Sequence, residues 1–194
     1  MEKIYCHQTS DFIAIAWQFS ATTTPPSNTR KTPSFRTFLQ NELIKITNNP
    51  NCQLYFNNHN KPLIEDVLYK SISISHTREV LAIQLRKDLF AGIDIEAPRN
   101  QLLKIQHKFL SEDEMKLAQN SLSTLCLFWT IKEALFKIYG TSNISFKHHI
   151  HIIDVYLPYV DAKLILPTHT ETYTLYTSSL TPFTYTITYV VKKN

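Results

Sequence analysis

The stretch "SISISHTREVLAIQLRKDLFAGIDIE", residues 71–96, decides the fold. It holds three extended pieces, 71–75, 79–85 and 90–96, rich in isoleucine, leucine and valine. The links between them are far shorter than the dozen or more residues of a parallel crossover. Antiparallel pairing is therefore expected, and helical patterns elsewhere make the chain an α+β protein with mostly antiparallel sheets. The last piece raises a further question. Gly92, one of only two glycines, precedes Asp94 and Glu96, with Ile95 between the acids. Residues two apart on a strand share a side, so the acids project together while Ile93 and Ile95 face a core. Gly92 lets another backbone or a ligand come close. Paired carboxylates repel unless a cation or donor lies between them, although a strand end of this kind also commonly meets solvent or a lysine.

Upstream, "DFIAIAWQFS" (11–20) reads as a strand and "ATTTPPSNTRK" (21–31) as a loop. A helix follows, with Thr32 as cap, Pro33 in the first turn, and Phe35, Phe38, Leu39, Leu43 and Ile46 as its apolar stripe. "QLYFNNHNKPLI" gives two short extended pieces around an Asn-rich turn. Downstream, Ser111 and Glu114 form a capping box, and "STLCLFWTIKEALFKIYG" is a long helix stopped by Gly140. The runs "IHIIDVYL", "AKLIL", "TYTLYTS" and "FTYTITYVV" return to strands. Two halves thus repeat a similar order of strands and helix, an N-terminal lobe over 1–98 and a C-terminal lobe over 99–194, within one integrated unit.

The balance of 43% hydrophobic and 19% charged residues over 194 positions is that of a globular protein with a sizeable core. No apolar run reaches the length of a membrane span, and the first twenty residues lack the order of a signal peptide. Cys6, Cys52 and Cys126 are odd in number and irregularly spaced, which fits reduced thiols in a cytoplasm. A net charge of +4 is compatible with an anionic partner without requiring one.

On "FWTIKEALFK", Phe128, Ile131, Leu135 and Ile138 form one face, and Trp129, Glu133 and Lys137 recur every fourth residue on another. A Glu and a Lys so spaced are often a solvent-facing pair, but a Trp aligned with them asks for a partner surface. If this helix packs beside the strand, Asp94, Glu96 and Glu133 can converge on a hard divalent cation such as magnesium, which also takes phosphate oxygens, and Lys137 can reach the same phosphate. "GIDIE" followed by "WTIKEALFK" resembles the paired signature of the 4′-phosphopantetheinyl transferases of the surfactin-synthetase-activating type. "NKP" (60–62) is similar to that family's Gly-Lys-Pro, and "SISHT" (73–77) to its Asn-Leu-Ser-His-Ser. "FRTFLQNELIK" (35–45) resembles the helix bearing its coenzyme A-binding arginine, and "FLSEDEM" (109–115) the segment between the two main motifs.

The resemblance implies two similar α/β lobes related by a pseudo-twofold, with the active site at their junction, in a cytoplasmic monomer. The implied reaction moves the 4′-phosphopantetheine of coenzyme A onto a serine of an acidic acyl or peptidyl carrier protein, releasing adenosine 3′,5′-bisphosphate. Asp94, Glu96 and Glu133 would hold magnesium, or manganese in its place, and Lys137 the pyrophosphate. Glu133 is the first candidate for taking the serine proton, directly or through water. Arg36, Lys61, Ser75 and His76 would bind coenzyme A, with His76 on its 3′-phosphate. Asn60, Ser73 and Thr77 depart from the family pattern around these groups.

Two other functions compete. A metal-dependent phosphoesterase or nuclease would use the same acids and lysine but leaves "NKP" and "SISHT" unexplained. A silent binding module for coenzyme A or a carrier has no need of Asp94, Glu133 and Lys137 together. The histidines of "KHHIH" (147–151) lack an accompanying acid or cysteine at ligand spacing and read as a turn and an edge strand, with His149 and His151 on one strand face. The aromatic, Thr-rich tail lacks interleaved Lys and Arg, which favours sheet packing over nucleic-acid stacking. Neither nucleic acid nor membrane is an expected partner.

Overall fold

The structure is a computed structural model that describes residues 2–19, 33–140, 143–180 and 185–194. The loop expected over 21–31 and the Thr32 cap lie outside the described residues. The chain divides into two compact units, Met1–Ala91 and Gly92–Asn194, so the strand carrying the two acids falls in the second.

The first unit contains β1 (Glu2–Gln8), β2 (Phe12–Gln18), α1 (Pro33–Thr47), β3 (Gln53–Phe56), β4 (Pro62–Glu65), β5 (Ser71–His76) and β6 (Val80–Arg86). Its main sheet has the order β1-β2-β6-β5, all antiparallel, and β3 and β4 form a separate hairpin. The helical stripe read from the sequence is its inner face. Phe35, Leu39 and Leu43, spaced by four, are buried with Ile13, Ile15 and Trp17 of β2 and Ile72 and Ile74 of β5, while Phe38 and Ile46 pack at the margin. β1 was not foreseen; its mostly exposed residues give little apolar signal, as suits a sheet edge.

The second unit contains β7 (Ile93–Glu96), α2 (Gln101–Phe109), α3 (Glu112–Ala118), α4 (Leu122–Tyr139), α5 (Phe146–His149), β8 (Ile150–Tyr156), β9 (Tyr159–Ile165), β10 (Thr170–Leu180) and β11 (Tyr185–Lys193). Its antiparallel sheet has the order β7-β11-β10-β9-β8. The expected α+β class with antiparallel sheets is what is found. The tail residues expected to pack in a sheet do so, and Tyr173 and Tyr189 are fully buried. The capping box forms as read: the Ser111 hydroxyl accepts from the Glu114 N–H and the Glu114 carboxylate from the Ser111 N–H. Gly140 ends α4 at φ 64°, the left-handed cap that glycine adopts without steric cost.

One local alternative is decided and one expectation needs correction. Of the two approaches open to Gly92, that of another backbone is found: a Cβ there would stand 2.3 Å from the Ala134 carbonyl oxygen of α4. His149 does not share a strand face with His151, because it closes the single turn of α5. Its Nδ1 accepts from the Ser145 N–H at 2.9 Å, and His151 Nε2 lies 3.0 Å from the His148 carbonyl.

Candidate active site

β7 is four residues long and pairs with β11, with Asp94 opposite Thr188 and Glu96 opposite Thr186. Alternation along the strand works as the pattern requires. Ile93 and Ile95 are fully buried, and the two acids occupy the other face, beneath α4. Several contacts fasten the helix to this strand and to its neighbour β11. Gly92 admits the Ala134 carbonyl, the Cys126 thiol points to the Glu96 carbonyl at 3.5 Å, and the Thr130 hydroxyl lies 2.8 Å from that of Thr188. The helix therefore crosses the acids at close range.

Lys137 completes the approach. Its ammonium donates to the Asp94 carboxylate at 2.6 Å and to the Ile93 carbonyl at 2.9 Å. Asp94 is only 6% exposed, so this is a short, charge-assisted bond in a shielded place. Glu96 has a different environment. Burial pushes its carboxyl above the usual range, and the Asp94 charge adds to this, while Arg99, the Ala97 N–H and Lys137 pull the other way. Arg99 stands 3.1 Å from Glu96 and is itself partly exposed. The pair is thus asymmetric, with one acid bound to a fixed lysine and the other short of compensation. Burial also raises the Cys126 thiol to about 12, against a hydrogen bond from Thr186, so this sulfur is an inert packing group.

Glu133 lies one turn before Lys137 and is half-buried. Among the described residues no group of three or more His, Cys, Asp or Glu side chains is drawn together as a metal site. The donors beneath α4 are hard carboxylate oxygens, the type that magnesium takes, and the raised Glu96 carboxyl marks a place where added positive charge is favourable. The donor chemistry fits the ion. Trp129, the third member of the helical row, finds its surface in an aromatic cluster with rings 5.1 Å away at Phe109 and 5.6 Å away at Phe146.

The sequence reading missed a residue that the structure makes prominent. Lys132 is fully buried, and its ammonium donates to Glu114 at 2.7 Å, the Ile150 carbonyl at 2.7 Å and the Phe146 carbonyl at 3.0 Å. These three acceptors use all three of its protons. Glu114 in turn accepts from the Ile152 N–H at 3.0 Å besides closing its capping box. A signal was present: Lys132 stands four residues after Phe128 and three before Leu135, squarely on the apolar stripe.

The remaining candidates belong to the first unit. Ser75 and His76 end β5, with Ser75 buried and the His76 ring 5.8 Å from that of Phe35. The Arg36 guanidinium lies 4.6 Å from the centre of the Phe56 ring. Lys61 is half-buried just before β4, and burial lowers its pKa. Asn60 before it has φ 58°, a left-handed conformation that glycine takes freely and asparagine tolerates better than most residues. Asn in place of Gly before Lys-Pro therefore keeps the turn.

Among the described residues no helix is long and apolar enough to cross a membrane. No curated protein matches the chain. The sequence model of one family, described as the 4′-phosphopantetheinyl transferase superfamily, matches residues 91–190, just over half of the chain and the whole α4–β7 site.

Proposed function

The chain belongs to the 4′-phosphopantetheinyl transferase superfamily, whose chemistry is phosphopantetheine transfer, and from that premise we propose that coenzyme A is its donor and an acidic carrier protein its acceptor. The observation that carries this reading is Lys137 held by Asp94 beneath α4, inside the matched region. The surfactin-synthetase-activating type is proposed on the "NKP", "SISHT" and Arg36-bearing segments, which precede that region. A phosphoesterase leaves those segments without a role.

In this reading the serine hydroxyl of an acyl or peptidyl carrier protein attacks the phosphorus bonded to the pantetheine arm. A new P–O bond to serine forms as the bond to the bridging oxygen breaks. Adenosine 3′,5′-bisphosphate departs with that bonding pair, and Glu133 takes the serine proton directly or through water. Lys137 moves its charge from Asp94 to the pyrophosphate, where negative charge develops in the transition state. Asp94 and Glu96, with Glu133, would hold magnesium, which neutralises charge on the phosphate oxygens when bound. Arg36, Lys61, Ser75 and His76 add the donors and positive charge that the nucleotide phosphates need. The protein works as a cytoplasmic monomer.

Intact-protein mass spectrometry of apo carrier proteins incubated with the chain, coenzyme A and magnesium tests the reading. One added phosphopantetheine on the carrier serine is expected, with Asp94→Ala and Glu133→Ala each slowing the gain by about a hundredfold or more. No gain on any fatty-acid or peptide-synthase carrier would sink it.

A further inference from the structure

Beside the acids, on the side of the second unit's sheet that α4 covers, lies a cavity of about 460 Å³. This is within the roughly 300–1,000 Å³ typical of ligand pockets. Thr124 and Leu127 of α4, Thr177 and Ser179 of β10, Thr186 of β11 and Pro158 are among its walls. Six of the nine lining residues are Ser or Thr and none is ionisable, so the cavity suits an uncharged ligand rich in hydrogen-bonding groups.

Its hydroxyls are already oriented. Thr188 donates to Thr177 at 3.2 Å, and the Thr130 hydroxyl stands 2.8 Å from Thr188 and 2.9 Å from the Leu127 carbonyl. A hydroxyl has one proton. The row Thr130–Thr188–Thr177 can therefore reverse its donor and acceptor roles, since either hydroxyl of the Thr130–Thr188 pair can donate. Thr177, at the cavity end of that row, is 6% exposed, so its hydroxyl can turn its proton to a ligand carbonyl. The cavity also adjoins the acids. Thr186 in its wall is the cross-strand partner of Glu96, and Thr188 behind it is that of Asp94. Directly opposed residues in an antiparallel pair stand about 5 Å apart at Cβ.

We infer that this cavity receives the pantetheine arm of the donor, so that the chain recognises the uncharged part of coenzyme A as well as its phosphates. The inference rests on the transfer reading above. The arm offers two amide carbonyls to Thr177 and its neighbours, amide and hydroxyl donors to the other oxygens, and a dimethyl group to Leu127, Leu157 and Pro158. The charged pyrophosphate is excluded from this lining and stays with Lys137.

The test separates the arm from the nucleotide. Binding of coenzyme A and of adenosine 3′,5′-bisphosphate, which lacks the arm, is measured by calorimetry for the wild type, Thr177→Val and Ser179→Trp, alongside KM for coenzyme A. Thr177→Val is expected to raise Kd and KM for coenzyme A about tenfold by removing one buried donor, with bisphosphate binding unchanged. Ser179→Trp, at an exposed wall position, is expected to do at least as much and to abolish competition by free pantetheine. Unchanged coenzyme A binding in both variants, or an equal loss for the bisphosphate, overturns the inference. A wild-type protein that binds neither nucleotide defeats the transfer reading and this inference with it, and that result comes before any variant is made.

Discussion

At the scale of single residues, Gly92 shows what the space between strand and helix permits. Its role is to remove a side chain so that α4 can lie on β7, which brings Lys137 within 2.6 Å of Asp94. Gly92→Ala would drive a Cβ against the backbone of Ala134, where no flexible side chain can yield. We expect a loss of about 1–3 kcal/mol in urea denaturation, the usual range for overpacking, together with slower transfer as Lys137 shifts from Asp94. A midpoint equal to that of the wild type would mean that the helix moves aside without strain.

At the scale of the element, α4 combines two kinds of buried group. Phe128, Ile131 and Leu135 supply hydrophobic burial, and Lys132 ties the same helix to α3 and to the start of β8. Removing one member of a buried pair leaves the other charged and uncompensated, which typically costs more than the intact pair contributes. Lys132→Met should therefore lower stability by about 3–5 kcal/mol in chemical denaturation. Adding Glu114→Gln should restore part of that loss, because the stranded charge is gone. Strictly additive losses would show that the two side chains do not act as a pair.

At the scale of the whole molecule, acid sensitivity has an identifiable source. Glu171 of β10 accepts from Tyr139 of α4, from Tyr173, from His169 and from Lys193 of β11, joining three elements of the second unit. Burial alone would raise its carboxyl, but the hydrogen bonds from Lys193, Tyr139, Tyr173 and His169 overcome this and hold it at about 2. A depressed carboxyl stabilises the fold above its unfolded value, near 4.5, and that stability is lost as pH falls from there toward 2. Glu171→Gln should lower the urea midpoint at neutral pH and flatten its decline between those two values. A variant whose midpoint follows the wild-type pH profile would assign the acid transition to another group.

Much of this molecule is legible in its sequence because the signals are local. Helical spacing set the apolar faces of α1 and α4, the Ser111–Glu114 box and Gly140 set helix ends, and alternation set which side of β7 carries the acids. These patterns span a few residues, the range over which backbone geometry alone dictates neighbours. Local periodicity does not say which strand pairs with which. β7 lies just after β6 in the chain yet pairs with β11, about ninety residues further on. Nor does periodicity show that Lys132 is buried, that Trp129 meets Phe109 and Phe146, or that hydroxyls from α4, β10 and β11 enclose a cavity beside Glu96. By itself the sequence determined most of the elements, the faces of α1 and α4, and the side of β7 that carries the acids, while β1 and the turn of α5 escaped it. Only the tertiary structure decided what those faces touch, because contacts between residues far apart in the chain arise from packing against shapes that no short window of sequence contains.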